Sequence, residues 1–213
     1  MALDAGDSGA GGVGAVCYLL PMAADAARRK ATYQDVLDAP PNRVAEVLDG
    51  ELHLQPRPAG RHTAVTSALG EELGPPFKRG KGGPGGWLIL DEPEIHLHAD
   101  ILVPDLAGWK RERLPSVGDE AYFELAPDWV CEVLSPSTEK RDRAVKLPIY
   151  AREHVPYAWL VNPLQRTLEV LRLHQDGWLT AAVHHDDQRV RAAPFDAIEL
   201  DLSVLWGDLR PTP

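Results

Sequence analysis

The sequence APDWVCEVLSPST, residues 126–138, decides the fold of this chain. Residues 129–134 form an apolar run that predicts a short buried strand, and this run contains one carboxylate, Glu132. An ionised carboxylate is costly to bury unless it is paired or binds a metal. Glu132 is therefore either neutralised by an arginine in the core or a functional acid, and the apolar surroundings favour the second interpretation.

The segments on either side of this strand carry the other groups of a possible site. Upstream, ILVPDLAGW repeats the arrangement, since an apolar run is interrupted by Asp105 after a proline. Downstream, EKRDRAVKLPIY predicts a helix, capped by a serine or threonine, that carries Lys146. Two strand carboxylates and a lysine are the groups that a metal-dependent phosphodiester-cleaving site needs.

These residue types predict a division of roles. Asp105 and Glu132 are candidate ligands for Mg²⁺ or Mn²⁺, which prefer oxygen donors and keep several waters. Lys146 would orient or deprotonate the attacking water, or stabilise the developing negative charge. The simpler alternatives are a turn residue for Asp105 and a solvated helix face for Lys146. Tyr150 lies one turn after Lys146 and is predicted to pack or to orient it.

The other segments predict a mixed α/β class. Residues 43–55 read as a hairpin around Asp49-Gly50, and RHTAVTSALGEEL predicts a helix over residues 61–73. Predicted strands occupy residues 87–97, 100–109, 157–161, 167–173 and 178–183, with residues 198–206 packing the C-terminal end.

Length and composition predict one domain over residues 31–210, preceded by a flexible extension over residues 1–30. The apolar part of that extension is short, broken by a proline and not preceded by a basic residue, so we expect neither a signal peptide nor a membrane span. Cys17 and Cys131 do not form a disulfide framework or a zinc motif. These features predict a cytoplasmic protein.

The net charge of −10 is unusual for a protein that binds nucleic acid over an extended surface. Any basic surface must be local, and the candidates are residues 78–81 and 140–146. The charge therefore leaves open a second hypothesis, a catalytically inactive module that binds nucleic acid or protein. A third is a metal hydrolase that acts on a small substrate.

The motifs in combination resemble a known family. VPDLAGW, APDWVCEVLSPST, RDRAVKLPIYAREHVPYAWLVNP, RVAEVLDGEL and RPAGRH are similar to the Uma-two family of bacterial restriction endonucleases, within the PD-(D/E)XK nuclease superfamily. The resemblance covers roughly residues 32–206. It implies a restriction-endonuclease-like fold, a mixed β-sheet flanked by helices, with an N-terminal hairpin and a C-terminal strand meander.

The resemblance also implies the site residues. Asp105 matches the aspartate of the superfamily, and Glu132 matches the acid of the (D/E)XK element. The usual lysine position, two residues later, holds Leu134, so the lysine role passes to Lys146 on the following helix. The implied activity is a Mg²⁺- or Mn²⁺-dependent endonuclease acting on DNA, and we expect a homodimer because two strand breaks are made most simply by two active sites.

The early signals of the family match Glu46 and His62. The superfamily often adds a third acid, and here the candidates are Glu46 in the hairpin and Glu71 or Glu72 on the following helix. His62, which follows RPAGR at the start of that helix, could contact a phosphate or join the metal site.

Overall fold

The structure, a computed structural model, describes residues 29–210 of the 213-residue chain. Almost all of the predicted N-terminal extension lies outside the described residues. The helices are α1 (Tyr33–Leu37), α2 (Gly60–Leu73), α3 (Glu139–Arg141), α4 (Leu147–Arg152) and α5 (Ser203–Trp206). The strands are β1 (Arg43–Leu48), β2 (Glu51–Pro56), β3 (Trp87–Asp91), β4 (Ile95–Leu97), β5 (Asp100–Leu102), β6 (Leu106–Lys110), β7 (Trp129–Val133), β8 (Tyr157–Asn162), β9 (Thr167–His174), β10 (Gly177–His185), β11 (Arg189–Val190) and β12 (Leu200–Asp201).

The strands form two main sheets. A six-stranded sheet has the order β10-β9-β8-β7-β6-β3, in which β7 and β8 are parallel and the other pairs are antiparallel. A four-stranded antiparallel sheet has the order β2-β1-β5-β4. The connection from β7 to β8 passes through α3 and α4, as a parallel pair requires. The predicted mixed α/β class is confirmed, and so are the N-terminal hairpin and the C-terminal meander β8-β9-β10.

The hairpin of β1 and β2 follows from its turn residues. Leu48 pairs with Glu51, so the turn contains two residues, Asp49 and Gly50, with φ of 51° and 84°. Positive φ at both positions is the type I′ geometry that matches the twist of a two-stranded ribbon. The prediction of a tight turn at this dipeptide is confirmed.

Strand β7 lies in the middle of the six-stranded sheet and is buried on both faces. Trp129, Cys131 and Val133 belong to an apolar cluster with α2, α5 and the short β11-β12 pair. Val130 belongs to a second cluster, on the other face, with α4, β4 and β5. Because side chains alternate along a strand, Glu132 points toward this second face.

Two predicted strands are each divided in the structure, which corrects the sequence prediction. Residues 87–97 form β3 and β4, and residues 100–109 fall into β5 and β6. Pro93 and Pro104 lie in the two gaps, where each lacks the N–H that a continuous ladder needs. The outer halves β3 and β6 pair in the large sheet, and the inner halves β4 and β5 pair in the small one. The chain therefore joins the two sheets at these two prolines.

The helical region after β7 also contains a local irregularity. Between α3 and α4, residues Asp142–Lys146 form a π-helical turn, in which the N–H of Leu147 bonds to the carbonyl of Asp142. Pro148 follows at the start of α4 and has no N–H to donate to the preceding turn. The wider turn accommodates this missing donor, and π-turns are frequent at functional sites. Among residues 29–210, no helix is long and apolar enough to cross a membrane.

The close approach of β6 to β7 depends on a glycine. A Cβ added at Gly108 would lie 3.2 Å from Trp129 Cε3 and 3.3 Å from Trp87 Cε3. We predict that Gly108→Ala lowers the free energy of unfolding by about 1–3 kcal/mol, because two buried indole rings must shift. Urea unfolding followed by tryptophan fluorescence measures the change.

Gly60→Ala is the matched control for this prediction. A Cβ at Gly60 would have nothing within 4 Å. We expect the control to change stability by less than about 0.5 kcal/mol. Equal effects of the two substitutions would contradict the packing argument.

Candidate active site

Four of the five predicted site residues line one cavity of about 310 Å³ between the two sheets. They are His62, Asp105, Glu132 and Lys146, and the loop over residues 135–138 lines the cavity with them. The end of β2 and Pro58, which follows that strand, are also part of its wall. The sequence elements that carry these residues lie far apart along the chain, and the fold brings them together here.

Asp105 and Glu132 are neighbours because of strand register. Leu106, the first residue of β6, pairs with Cys131 of the antiparallel strand β7. One step beyond that pair, Asp105 lies across from Glu132. The two carboxylates are thus placed side by side, at neighbouring ends of two adjacent strands of the large sheet.

The ammonium of Lys146 lies at the centre of the site. Its Nζ lies 2.8 Å from Glu132 Oε1, 3.1 Å from Glu46 Oε1 and 3.1 Å from the carbonyl oxygen of Val103. The residue is 1% exposed. The contact to Val103 is a hydrogen bond, and the contacts to the two glutamates are ion pairs. Lys146 is therefore a fixed cation that joins both sheets to the helical region after β7.

Glu132 is held on one side by a hydrogen bond and an ion pair. The hydroxyl of Tyr150 donates to Glu132 Oε1 at 2.6 Å, and the same oxygen lies 2.8 Å from Lys146 Nζ. Glu132 is 3% exposed, and its Oε2 receives no hydrogen bond from the described residues. One carboxylate oxygen is thus fixed while the other is left available to the cavity.

Asp105 is oriented by the neighbouring strand and by α2. Its Oδ2 accepts the backbone N–H of Val133 at 2.6 Å and lies 3.0 Å from Nε2 of His62. Burial alone would lower the pKa of His62, but the hydrogen bond to Asp105 and its negative charge raise the pKa above its usual value. Nδ1 of His62 is buried and has no partner within residues 29–210.

The charges of the site act strongly on one another. Burial raises the pKa of Glu132 well above its usual value, the ammonium of Lys146 opposes this, and the negative charges of Asp142, Asp105 and Glu46 add to it. Burial alone would lower the pKa of Lys146, but the same four carboxylates raise it above its usual value. Four carboxylates thus act on one ammonium in this part of the structure.

The third acid of the site is not supplied by the predicted helix candidates. Glu71 is exposed, Glu72 is half-buried, and neither lines the cavity. Glu46 is fully buried directly behind Lys146, and its two oxygens also accept from Gln55 Nε2 at 2.6 Å and from the N–H of Val103 at 2.9 Å. Of the three candidates, the structure brings Glu46 into the ion network.

Two carboxylates at the cavity, Glu92 and Asp142, were missed by the sequence interpretation. Asp142 lines the cavity and is 3% exposed, and burial raises its pKa. Asp142 was overlooked because the run EKRDRAVK, in which it lies, is typical of a solvated basic helix face. The available signal was the spacing of Asp142, Lys146 and Tyr150, which places all three on one helical face.

The donors at the cavity fit a hard divalent cation. Within residues 29–210 no group of three or more His, Cys, Asp or Glu side chains is close enough to hold a metal by itself. Mg²⁺ does not require such a group, because it is usually held by one or two carboxylates, waters and substrate phosphates. Asp105 Oδ1 and Glu132 Oε2, which accept no hydrogen bond from the described residues, are oxygen donors of the required kind.

Comparison with known proteins agrees with the motifs. A model of the Uma2 (Uma-two) family, described as "Putative restriction endonuclease", matches residues 31–204. The chain is also similar to a solved structure from Anabaena variabilis, described as a putative nuclease belonging to DUF820, with a TM-score of 0.67 and 23% sequence identity. That match covers 83% of this chain and 98% of the other, and it supports the predicted nuclease-like fold. No curated protein gives a significant match.

The buried ion network predicts a non-additive response to substitution. Lys146→Met would leave Glu46 and Glu132 buried without a cation, and we expect it to lower the free energy of unfolding by roughly 3–5 kcal/mol. Adding Glu132→Gln removes one of the unpaired charges and is expected to restore part of that loss. Chemical denaturation of the two single variants and the double variant measures the coupling.

An exposed ion pair is the control. Arg166 and Asp187 form a pair with both side chains open to solvent, so Arg166→Met should cost less than about 1 kcal/mol. If Lys146→Met is no more destabilising than this control, Lys146 is not held as the structure places it.

Proposed function

This chain belongs to the Uma2 family, and we propose that it is a metal-dependent endonuclease that hydrolyses phosphodiester bonds of DNA at the cavity containing Asp105 and Glu132. Membership of a family described as putative restriction endonucleases and a nuclease-like fold support a nuclease. The match over residues 31–204 also supports our proposal that residues 31–210 form one domain.

The observation that carries the proposal is the meeting of two carboxylates and a fixed cation at one cavity. Asp105 and Glu132 come from adjacent strands, and Lys146 contacts Glu132 at 2.8 Å. Phosphodiester hydrolysis requires groups that neutralise the phosphoryl oxygens and activate water. The two carboxylates and the lysine are groups of the kind that these two tasks require.

Asp105 and Glu132 would hold Mg²⁺ or Mn²⁺ through their free oxygens. Such an ion supplies neutralisation of the phosphoryl charge and a lower pKa for bound water. Of the four carboxylates that act on Lys146, three line the cavity, namely Asp105, Glu132 and Asp142, and in their ionised form they would attract a divalent cation there.

The protein residues then have separate tasks. Lys146 pairs with Glu46 and Glu132, donates to the carbonyl oxygen of Val103 and has a pKa above its usual value, so we propose that it orients Glu132 and stabilises negative charge rather than removing a proton. Tyr150 fixes the same oxygen. His62 orients Asp105 through Nε2, which leaves its buried Nδ1 as a polar atom able to bind a water or a phosphate oxygen.

Cleavage of supercoiled plasmid and of single-stranded DNA with Mg²⁺, Mn²⁺ or EDTA tests the proposal. We expect the wild type to nick DNA with either metal and not in EDTA. Asp105→Asn and Glu132→Gln remove ligand charge while preserving shape, and we expect each to lower the rate by about 100-fold or more. Agarose gels of time courses measure both effects.

Asp128→Asn is the matched control, because Asp128 is a buried carboxylate that pairs with Arg113 and does not line the cavity. It should keep activity within about threefold of the wild type. Full activity of Glu132→Gln, or equal activity in EDTA, would overturn the metal mechanism.

A metal-binding measurement separates the enzyme from the inactive module. Calorimetric titration with Mn²⁺ alone should give binding to the wild type that weakens by about tenfold or more in Asp105→Asn. Binding of Mn²⁺ without cleavage of any DNA would favour a non-nucleolytic hydrolase. DNA binding with neither metal binding nor cleavage would favour the module. The homodimer remains a proposal that sedimentation of the purified protein would test.

A further inference from the structure

Acidic side chains outnumber basic ones around the cavity. The carboxylates that line it are Glu92, Asp105, Glu132 and Asp142. The lining residues that carry or can carry positive charge are Arg57, His62 and Lys146. Lys146 is paired with buried Glu132, and His62 is paired with half-buried Asp105. Among the lining residues, Arg57 is therefore the cation available at the entrance.

Arg57 is set at the mouth of the cavity by its neighbours in sequence. It follows Pro56, the last residue of β2, and precedes Pro58. A residue before proline is restricted to extended conformations, and a proline fixes its own φ, so this stretch has few backbone states. The side chain is nonetheless 61% exposed. The backbone is positioned while the guanidinium is free to turn.

The partner of Arg57 is weakly bound. Arg57 Nη1 lies 3.6 Å from Glu92 Oε2, which is longer than a hydrogen bond, and the Glu92 side chain is 38% exposed. Exposed pairs of this kind contribute little stability. An anion arriving at the cavity can therefore displace Glu92 at low cost.

Glu92 occupies a strained backbone position. Its φ is 44°, although it is not a glycine and precedes Pro93. Its N–H donates to the carbonyl of Asp105 at 3.0 Å, which ties it to the acid of the site. Strain of this kind persists where the surrounding structure imposes it, and it is concentrated at functional positions.

The ion pair also separates two cavities. A second cavity of about 330 Å³ shares Arg57, Glu92, Val44 and Val103 with the first, and Arg43 lies on its wall. A nucleic-acid strand is longer than one cavity, so a strand with one phosphate at the acids must continue past this boundary. The next phosphate along that path meets Arg57.

We propose that Arg57 binds the backbone phosphate next to the one at the Asp105–Glu132 pair, and that Glu92 holds Arg57 until a nucleic-acid strand displaces it. This inference rests on the proposed function, since it takes a nucleic-acid strand as the substrate. Arg57 supplies binding and position, and Glu92 competes with the substrate phosphate for the same guanidinium.

Opposite effects of the two charge removals test the proposal. Binding of a fluorescein-labelled single-stranded oligonucleotide would be followed by anisotropy in Ca²⁺, between 50 and 200 mM salt, with cleavage measured separately in Mg²⁺. Arg57→Gln should raise Kd about threefold or more and reduce the slope of log Kd against log salt by about 0.7. Glu92→Gln should lower Kd by about twofold or more, because it frees Arg57. A purely structural pair would weaken binding in both variants.

The chain contains a matched pair for the control. Arg189 and Glu199 are 3.8 Å apart, are similarly exposed and do not line either cavity. Arg189→Gln and Glu199→Gln make the same changes of net charge and should each leave Kd within about twofold of the wild type. A change in Kd that appears at Arg57 and Glu92 but not at Arg189 and Glu199 arises from a local contact and not from the net charge of the whole protein.

The outcomes are distinguishable from those of the proposed function. If the wild type cleaves DNA while Arg57→Gln binds like Arg189→Gln, or while Glu92→Gln binds more weakly, this inference is overturned and the nuclease stands. If the wild type neither binds nor cleaves any nucleic acid, both are overturned. If the two variants shift Kd in opposite directions and the controls do not, the inference is supported.

Discussion

The buried ammonium of Lys146 is the interaction on which the site depends. Its three oxygen partners come from β1, from the segment between β5 and β6, and from β7, so one charge joins the small sheet, the large sheet and the helical region. A buried charge is tolerated only when its partners are complete. Lys146 therefore ties the small sheet to the large one beside Asp105 and Glu132, which strand register brings together. Stability and site geometry are coupled through the same atom.

Helix geometry after β7 explains how a lysine outside the usual strand position reaches this place. The π-turn over Asp142–Lys146 ends directly before Leu147 and Pro148, where a regular helix would lack a donor. Lys146 is the last residue of that turn and is aimed at the strand acids, while Tyr150 in the next turn reaches the same carboxylate oxygen. In the site that we propose, a helical side chain thus takes the place of the strand lysine, whose position holds Leu134.

Local rules predicted those parts of the structure that depend on a few neighbouring residues. The turn at Asp49-Gly50, the buried strand around Glu132 and the helix carrying Lys146 all follow from local spacing. Pairings between distant segments did not follow from it. Residues 91–94, Asp-Glu-Pro-Glu, interrupt the apolar pattern, but the sequence does not show that the two sides of this break pair in different sheets. Asp142 was hidden because a sequence cannot tell which side of a charged helix is buried.

Net charge is a poor guide to what this chain binds, because some of its charged side chains are buried and others are exposed to solvent. A total of −10 counts Glu46, Glu132 and Asp142 although each is buried and is not part of the outer surface. A divalent cation held by Asp105 and Glu132, as we propose, would reverse the local sign of the field at the cavity. An anionic strand would then meet a different charge there from the one that the whole protein presents. What matters for its approach is the balance at the entrance, where one exposed guanidinium faces one exposed carboxylate across a gap too long for a hydrogen bond.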